Sequence, residues 1–343
     1  MTILITGGGG FVMSNLARLW LDRHPEDDVV VLDSGLPDAA LERFIAPHGS
    51  RFHYVRASVL DRAALERIGA AHDITHVVHG ATVTLFAPED AAGARLTNPE
   101  TDVPAEVLEV NIMGTVAVID WARRLRGLKR FVNVSSGAVY NDTGPEPFGP
   151  MPEEGWVDPP EFYGISKLSA EMIARRYAAL FGMPVVSCRL SGVYGPMDRR
   201  RPSRAHYCAP YVAVHHALEG RPIRIRAPEA VGDHIHAGDV AQAILALLDK
   251  PGPLHHPVYN IALGQSVTLR ELVAEVGRLI PGASWEPCGS GPCDIASDDR
   301  YRGGRWGAYD ISRLRDETGW QPRPLPEALA DYVSFVRAFG VTR

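Results

Sequence analysis

A serine, a tyrosine and a lysine are placed along the chain so that together they can move a proton on or off an alcohol. Ser136 ends a strand-like run, while Tyr163 and Lys167 stand four residues apart at the start of a helical pattern. That spacing puts the phenol and the ammonium on one face of a helix, one turn apart. A free phenol has a pKa near about 10, and a nearby ammonium favours its ionised form. Tyr163 is therefore a candidate base, and Ser136 can hydrogen-bond the same substrate oxygen.

A surface tyrosine beside a solvated lysine would also explain Tyr163 and Lys167 if they were taken alone. Two features favour the catalytic interpretation. Only three of the 35 basic residues are lysines, and one of them is Lys167. The chain also carries a second, independent pattern that predicts a bound nucleotide.

That pattern is a glycine-rich segment near the start of the chain. Gly7-Gly8-Gly9-Gly10 follows a strand-like run and precedes a helical one, so the backbone can turn tightly and hold a pyrophosphate on amide groups at the helix N-terminus. Asp33 ends the next strand-like run, where a carboxylate can accept hydrogen bonds from ribose hydroxyls and repel a 2′-phosphate. The two features together predict NAD rather than NADP as the cofactor.

Alternating elements in the first half of the chain are expected to position these residues. The predicted strands are Ile3–Thr6, Val29–Asp33, His53–Arg56, His76–His79, Arg130–Val134 and Val185–Arg189. The predicted helices are Met13–Leu21, Arg62–Gly69, Ala105–Leu125 and Ser166–Phe181. Strands that are apolar almost throughout and alternate with helices predict a parallel sheet covered on both faces. Ala105–Leu125 is apolar on more than one side, which indicates deep burial or an oligomer contact.

The regular alternation ends after Arg189. Residues 196–232 are rich in Arg, Pro and His, and Pro281–Gly307 is predicted to be a loop. The further predicted elements are the helices Tyr211–Leu218, Asp239–Leu248, Thr268–Leu279, Ile311–Thr318 and Leu325–Ala338 and the strand Val258–Ile261. We therefore predict an α/β protein with two domains. A Rossmann-type doubly wound parallel sheet forms an NAD-binding domain at 1–190, to which 232–262 returns, and a smaller C-terminal α/β substrate-binding domain spans 191–343.

Composition excludes several other classes of protein. The net charge of -6 argues against a nucleic-acid partner. No apolar run approaches the roughly 18 residues of a membrane span, and the first residues lack a signal-peptide pattern, so we expect a cytoplasmic protein. Four cysteines predict no disulfide framework, and the Cys288…Cys293 spacing is wrong for a zinc knuckle. His234 and His236 have no nearby acids or thiols, so we expect no metal site.

In this order the motifs resemble those of the extended short-chain dehydrogenase/reductases, specifically the NAD-dependent epimerase/dehydratase family. The resemblance runs over nearly the whole length. Further segments that carry it are His79-Gly80-Ala81, Asn111-Ile112-Met113-Gly114-Thr115, 189–196, 233–240, Tyr259-Asn260-Ile261, Asp310-Ile311-Ser312 and 319–322. The resemblance implies that Ser136, Tyr163 and Lys167 are catalytic and that Lys167 also holds the nicotinamide ribose. It implies a homodimer in which Ala105–Leu125 and Ser166–Phe181 pair with their symmetry mates.

The resemblance also implies the residues that contact the cofactor. These are Gly7, Gly10, Phe11, Val12, Asp33, Ser34, Ser58, Val59, Gly80, Ala81, Asn111, Tyr163 and Lys167. Two positions depart from the family pattern. Met13 stands in place of the third glycine, which allows close packing of helix on strand, and Ser58 replaces an aspartate that meets the adenine.

Other departures bear on the substrate. Gly137 and Ala138 follow Ser136 where related dehydratases carry an Asp-Glu pair, and related decarboxylases place a Glu nearby, so we predict neither reaction. Gly192 and Gly232 stand where nucleotide-sugar enzymes carry an Asn and the Arg that holds the diphosphate, which puts the usual UDP-sugar site in doubt.

Arginines of the predicted substrate domain can compensate, since guanidinium groups bind carboxylate or phosphate in bidentate fashion. They fall in 198–204 and in the trio Arg221, Arg224 and Arg226. A solvated charge run explains them equally well. The candidate substrate contacts are Thr82, Ser136, Gly192, Arg199 and Arg204.

The sequence therefore predicts an enzyme: an NAD-dependent epimerase of a sugar or sugar derivative. Tyr163 would remove a hydroxyl proton, Ser136 would fix that oxygen, and reversible hydride transfer would pass through a keto intermediate. If NADH leaves instead, the protein is a dehydrogenase of a smaller sugar, sugar acid or hydroxy acid. A catalytically inactive, nucleotide-binding regulatory protein is the third alternative, which Met13, Ser58 and Gly232 suggest.

Overall fold

The computed structural model describes residues 1–84, 99–140, 150–199, 207–288, 293–295 and 307–340. Its strands are β1 (Thr2–Thr6), β2 (Asp28–Asp33), β3 (Phe52–Arg56), β4 (Ile74–His79), β5 (Arg130–Ser136), β6 (Val185–Leu190), β7 (Gly192–Tyr194), β8 (Ile223–Ile225), β9 (Val231–Gly232), β10 (His234–His236), β11 (Val258–Ile261), β12 (Val267–Thr268) and β13 (Trp285–Pro287). Its α-helices are α1 (Phe11–Arg23), α2 (Ala39–Ile45), α3 (Arg62–Ala71), α4 (Pro99–Asp102), α5 (Pro104–Leu108), α6 (Gly114–Ala122), α7 (Phe162–Phe181), α8 (Ala209–Leu218), α9 (Ala237–Asp249), α10 (Leu269–Leu279), α11 (Ser312–Thr318) and α12 (Leu325–Phe339).

Seven parallel strands form the central sheet in the order β11-β6-β5-β4-β1-β2-β3. The order reverses between β1 and β4, and ligands of such sheets bind beyond the carboxyl ends of the strands at this reversal. The fold class predicted from the sequence, a doubly wound sheet of the Rossmann type, is confirmed.

Alternate residues of each strand face opposite sides of the sheet, which explains why the strands are apolar throughout. Ile3 and Ile5 of β1 lie in a core with α1 and α9 on one face. Leu4, between them, lies in a second core with α3 and α6 on the other face. Burial on both faces therefore needs the continuous apolar runs that the sequence carries.

A third apolar core belongs to the C-terminal part of the chain. It joins α8, α10 and α12 with β8, and the small pairs β7–β10, β8–β13 and β9–β12 lie outside the large sheet. β11 returns to the large sheet beside β6. The domain boundaries drawn from the sequence stay a prediction.

The structure corrects two of the predicted elements and adds a bond. Ala105–Leu125 is not one helix, because a π-helical turn at Glu109–Met113 separates α5 from α6. Part of the predicted loop Pro281–Gly307 is strand, since β13 pairs with β8. Cys288 and Cys293 form a disulfide that the sequence did not predict. Within the described ranges no helix is both long and apolar enough to cross a membrane.

Candidate active site

The predicted site residues meet at one edge of the central sheet. Gly7, Asp33, Gly80 and Ser136 lie at or just beyond the carboxyl ends of β1, β2, β4 and β5. Since these strands are parallel neighbours around the reversal of strand order, their ends border one crevice.

The glycine loop has the geometry of a pyrophosphate cradle. Gly7 has a positive φ of 70°, its N–H donates to the Leu32 carbonyl over 2.8 Å, and a Cβ there would lie 2.9 Å from the Ala81 backbone. α1 begins directly after Gly10, which has no side chain to cap the helix. Phe11 and Val12 therefore open the helix with backbone amides at its positive end, which suits an anion.

The Asp33 carboxylate lies against this loop. It accepts hydrogen bonds from the Gly9 N–H over 3.1 Å and from the Gly35 N–H over 2.9 Å. A Cβ on Gly9 would lie 3.0 Å from Asp33 Oδ2 and 2.7 Å from Tyr54 Oη, so a side chain there would fill the cradle. Ser34, next to Asp33, is exposed. The loop and its acid therefore fit the ribose and pyrophosphate of NAD.

Ser58 and Val59 follow β3 at the same edge. The Ser58 hydroxyl accepts a hydrogen bond from the Leu60 N–H over 3.2 Å, and its carbonyl accepts one from the Asp61 N–H over 3.0 Å. Val59 is buried against Gly114. Ser58 thus stabilises the turn before α3, and its predicted contact with the cofactor stays a prediction.

Met13, which replaces the third glycine, is accommodated by another glycine. The side chain is buried, and a Cβ on Gly80 would lie only 2.6 Å from its Cγ and Sδ atoms. The flexible thioether fills the space that Gly80 leaves between α1 and the segment after β4. The departure at Met13 therefore leaves the helix packed on the sheet.

A chain of hydrogen bonds links the glycine loop to the helix that follows β4. The N–H groups of Gly80 and Ala81 donate to the Thr6 hydroxyl, both over 3.2 Å. The Thr6 hydroxyl in turn contacts His79 Nδ1 at 2.8 Å, and His79 Nε2 contacts the Thr115 hydroxyl at 3.1 Å. Burial lowers the pKa of His79 to about 3, so the ring is neutral. These partners assign its proton to Nε2.

Asn111, in the π-helical turn, extends the chain to α7. Its amide group donates to the Ser166 hydroxyl and to the Val83 carbonyl, both over 3.0 Å. Its Oδ1 accepts from the Val83 N–H over 2.8 Å and from the Thr82 hydroxyl over 3.1 Å. The Ser166 hydroxyl donates to the Tyr163 carbonyl over 2.7 Å. Asn111 therefore holds the segment at Thr82 beside the start of the helix that carries Tyr163.

The structure brings Tyr163 and Lys167 together as the spacing predicts. Lys167 Nζ lies 5.7 Å from the centre of the Tyr163 ring and donates a hydrogen bond to the Val134 carbonyl over 2.9 Å. The ammonium is buried, and this burial lowers the pKa of Lys167 to about 8 while the nearby Glu171 raises it.

Ser136 lies next to the start of the same helix. Its Oγ accepts a hydrogen bond from the Ala138 N–H over 3.1 Å and caps the short turn that follows β5. Gly164, the residue after Tyr163, packs on this turn so closely that a Cβ would overlap the Ala138 carbonyl oxygen. The close approach of α7 to the turn after Ser136 accounts for the glycine beside Tyr163.

A buried ion pair lies behind α7, the helix that carries Tyr163 and Lys167. Glu171, one turn beyond Lys167, accepts hydrogen bonds from Arg189 Nε over 2.9 Å and Arg189 Nη2 over 2.7 Å. The Ser135 hydroxyl donates to the same carboxylate over 2.5 Å. Both charged side chains are about 5% exposed. This pair joins α7 to β5 and β6 and fixes the helix that presents Tyr163.

The predicted substrate arginines lie in different settings. Arg199 is buried and forms a bidentate ion pair with Asp38, its Nε and Nη2 lying 3.0 and 2.8 Å from the carboxylate oxygens. Asp38 also caps α2, so the pair joins the segment after β7 to the nucleotide side of the sheet. The geometry gives no support for a substrate contact by Arg199. Arg204, with the rest of 200–206, lies outside the described residues.

Arg221 and Arg224 of the other arginine cluster form ion pairs. Arg221 contacts Glu219 over 2.6 Å, and Arg224 contacts Asp294 over 3.2 Å. These contacts favour the interpretation of the trio as a charged surface.

Gly192 and Gly232, which stand where nucleotide-sugar enzymes carry an Asn and the diphosphate-binding Arg, flank one histidine. A Cβ on Gly192 would lie 2.6 Å from His234 Nδ1, and one on Gly232 would lie 2.9 Å from His234 Nε2. The imidazole therefore occupies the space beside both glycines. Burial lowers the pKa of His234 to about 4, so the ring is neutral.

Residues 3–262 match the model of the NAD dependent epimerase/dehydratase family, and the chain belongs to that family. It is accordingly an NAD-dependent enzyme of the extended short-chain dehydrogenase/reductase type, and NAD is its cofactor.

Two relatives span most of the chain. A UDP-glucose 4-epimerase of Erwinia amylovora is 29% identical over 289 residues, which cover 80% of this chain and 81% of that protein. A dTDP-glucose 4,6-dehydratase of Streptomyces antibioticus is 27% identical over 346 residues, which cover 98% and 92%. The crystal structure of UDP-glucose 4-epimerase from Thermotoga maritima with UDP-glucose has the same fold, with a TM-score of 0.77, 23% identity and coverage of 98% and 99%.

Proposed function

We propose that the protein is an NAD-dependent epimerase that acts on a secondary alcohol of a sugar or sugar derivative. The observation that carries the proposal is the turn after Ser136. Tyr163 and Lys167 lie beside it, while residues 137 and 138 are glycine and alanine. The site thus has the groups for moving a proton and none of the acids that this turn carries in the dehydratases.

NAD, when bound, accepts a hydride from the carbinol carbon and can return it to either face of the resulting ketone. Tyr163 takes the proton from the hydroxyl group and gives it back after the ketone has turned. Lys167 favours the phenolate by its charge. Ser136 donates a hydrogen bond to the reacting oxygen and holds it for both transfers.

The lack of acids at 137 and 138 separates this proposal from dehydration. Expulsion of water from the keto intermediate requires one group to remove a proton and another to protonate the leaving hydroxyl. Neither glycine nor alanine can supply these groups. Although dTDP-glucose 4,6-dehydratases are among the relatives, the local sequence favours the epimerase.

A dehydrogenase of a smaller sugar, sugar acid or hydroxy acid is the second candidate. His234 favours it, because the neutral ring fills the space beside Gly192 and Gly232 and provides no charge for a diphosphate. In that case NADH leaves after each oxidation, and the hydride does not return.

The two candidates are separated by incubating the NAD-loaded protein with a panel of sugars. The panel contains UDP-glucose, UDP-glucuronic acid, dTDP-glucose, free aldoses and aldonic acids. We expect NMR to show a new epimer without lasting NADH absorbance. NADH formed in proportion to the substrate added would overturn the epimerase in favour of the dehydrogenase.

The surface of the catalytic helix supports a homodimer as part of the proposal. Ile165 and Met172 lie on one face of α7 and are 38% and 56% exposed, and Met113 of the neighbouring π-helical turn is 48% exposed. Apolar side chains on adjacent helices are suited to contact a second copy. We expect light scattering at micromolar concentration to give twice the chain mass of 37.4 kDa. A Met172→Glu variant should be monomeric, and a monomeric wild type would contradict the proposal.

Lys167→Met is expected to lose turnover and yet be at least as stable as the wild type. Burial lowers the pKa of the Lys167 ammonium from 10.5 to about 8, so the folded chain bears a desolvation cost at neutral pH. Methionine has a similar length and no charge, so the variant should gain about 1–3 kcal/mol at neutral pH.

The gain should depend on pH in a defined direction. Between pH 8 and 10.5 the unfolded wild type keeps the lysine proton that the folded protein has lost, so its free energy of unfolding rises with pH. The advantage of the variant should therefore shrink over this window. Denaturant unfolding on both sides of it measures the effect. A Lys167→Met protein that is clearly less stable at neutral pH would contradict the account.

A further inference from the structure

The glycine after the catalytic serine faces a tyrosine from a distant part of the chain. A Cβ built on Gly137 would overlap Tyr309 Oη and would lie 2.7 Å from Cζ and 2.9 Å from Cε1 of the same ring. Tyr309 therefore occupies the volume into which any side chain at position 137 would project. Position 137 has no side chain, and the phenol of Tyr309 fills the space that one would occupy.

The phenol of Tyr309 is held in place from several sides. The backbone N–H of Tyr309 donates to Asp233 Oδ2 over 3.1 Å, and the backbone of Met151 pairs with Ala308 and Asp310 on either side of it. Its ring meets the Tyr140 ring edge-on at 5.8 Å between centres, and only 6% of the residue is exposed. A hydroxyl on a ring held in this way has a fixed position, as a recognition group needs.

That position belongs to the candidate active site. Gly137 follows Ser136, and the next residue, Ala138, carries the carbonyl group against which the start of α7 packs beside Tyr163. Tyr309 thus reaches the short turn that lies between Ser136 and the start of α7. A phenol can donate and accept a hydrogen bond but stays neutral near pH 7. It can therefore recognise a sugar hydroxyl at this place by donating or accepting a hydrogen bond.

We propose that Tyr309 determines substrate specificity by hydrogen-bonding one sugar hydroxyl close to the carbon that is oxidised. The inference rests on the proposed function, because it places a sugar against Ser136. In this role Tyr309 selects substrates that bear that hydroxyl.

The first test measures binding to the NAD-loaded protein by calorimetry. The probes are UDP-glucose and its 3-deoxy and 6-deoxy analogues. Tyr309→Phe should weaken the binding of UDP-glucose about three- to tenfold. The affinity for the one analogue that lacks the recognised hydroxyl should stay unchanged. Equal weakening for all three, or none, would overturn the inference, as would a wild type that binds none of them.

Formation of an epimer from the same sugars is measured separately, and this measurement tests the proposed function. A wild type that binds UDP-glucose but forms no epimer would contradict the epimerase, while the binding comparison still decides the role of Tyr309. Tyr140→Phe is the matched control. Its hydroxyl donates to Asn260 Oδ1 over 2.8 Å away from the turn, so its loss should leave the discrimination among the probes unchanged.

A second test uses stability and needs no substrate. Gly137→Ala should lower the melting temperature by several degrees, because the new methyl group overlaps the held phenol. In the Tyr309→Ala background the same change should cost little. Equal costs in both backgrounds would show that the two residues do not share the volume, and would overturn the inference.

Discussion

Tyr163→Phe is expected to lower kcat by about 10²–10⁴-fold while the protein keeps its NAD. The change removes one oxygen atom, the one that is proposed to take and return the substrate proton. Lys167 retains its bond to the Val134 carbonyl, and the glycine loop is untouched. Binding of cofactor and sugar should therefore remain close to that of the wild type. Steady-state kinetics and the NAD content of the purified variant provide the two measurements.

Tyr177→Phe is a suitable control for this variant. Tyr177 lies on the same helix, and its hydroxyl donates to Asp120 over 3.4 Å, away from the turn after Ser136. It should keep full activity. If Tyr163→Phe also kept full activity, the catalytic assignment would be wrong, and the phenol would have at most a structural role.

Glu171→Gln is expected to lower the free energy of unfolding by about 3–5 kcal/mol. The carboxylate of Glu171 faces the buried guanidinium of Arg189 through two hydrogen bonds and accepts a third from Ser135. A neutral amide leaves the Arg189 charge buried without this partner and turns an N–H donor toward other donors. Denaturant unfolding of the NAD-free protein measures the loss.

An exposed pair provides the comparison. Glu66 contacts Arg124 over 2.6 Å, and both side chains are more than half exposed. Glu66→Gln should change the free energy of unfolding by at most about 1 kcal/mol. Similar small losses for Glu171→Gln and Glu66→Gln would contradict the view that the buried pair fixes the catalytic helix.

Features that depend on neighbouring residues could be predicted from the sequence. The glycine loop, Asp33 and the Tyr163–Lys167 spacing each combine a residue type with a short, regular backbone element. The parallel sheet could be predicted for the same reason, since strands buried on both faces require continuous apolar runs.

Features that depend on contacts between distant segments could not be predicted. Arg199 pairs with Asp38, 161 residues away, and no local pattern in the sequence points to that contact. Tyr309 meets Gly137 from the far end of the chain, in a segment where only fold landmarks were expected. His79 stands before Gly80 and Ala81 in a segment that the resemblance singled out. Its hydrogen bond with Thr115 became visible only in the structure.

The hydrogen-bond partners of Asn111 show a related difficulty. The resemblance implied a contact with the cofactor, which stays a prediction, and nothing in the sequence indicated that its amide group would lie between Val83 and Ser166. The π-helical turn that carries Asn111 interrupts an apolar run that predicts a continuous helix. Such a turn has no periodic signature, because its single extra residue per turn is set by packing against α7 and not by local preference.

The fate of the transferred hydrogen tests the central claim most directly. A sugar that the protein converts is prepared with deuterium on the carbon that bears the reacting hydroxyl and is incubated with the NAD-loaded protein in ordinary water. The account predicts an epimer that keeps the deuterium at that carbon, with no NADH accumulating. Loss of the deuterium from the sugar in step with NADH release would contradict it and identify a dehydrogenase.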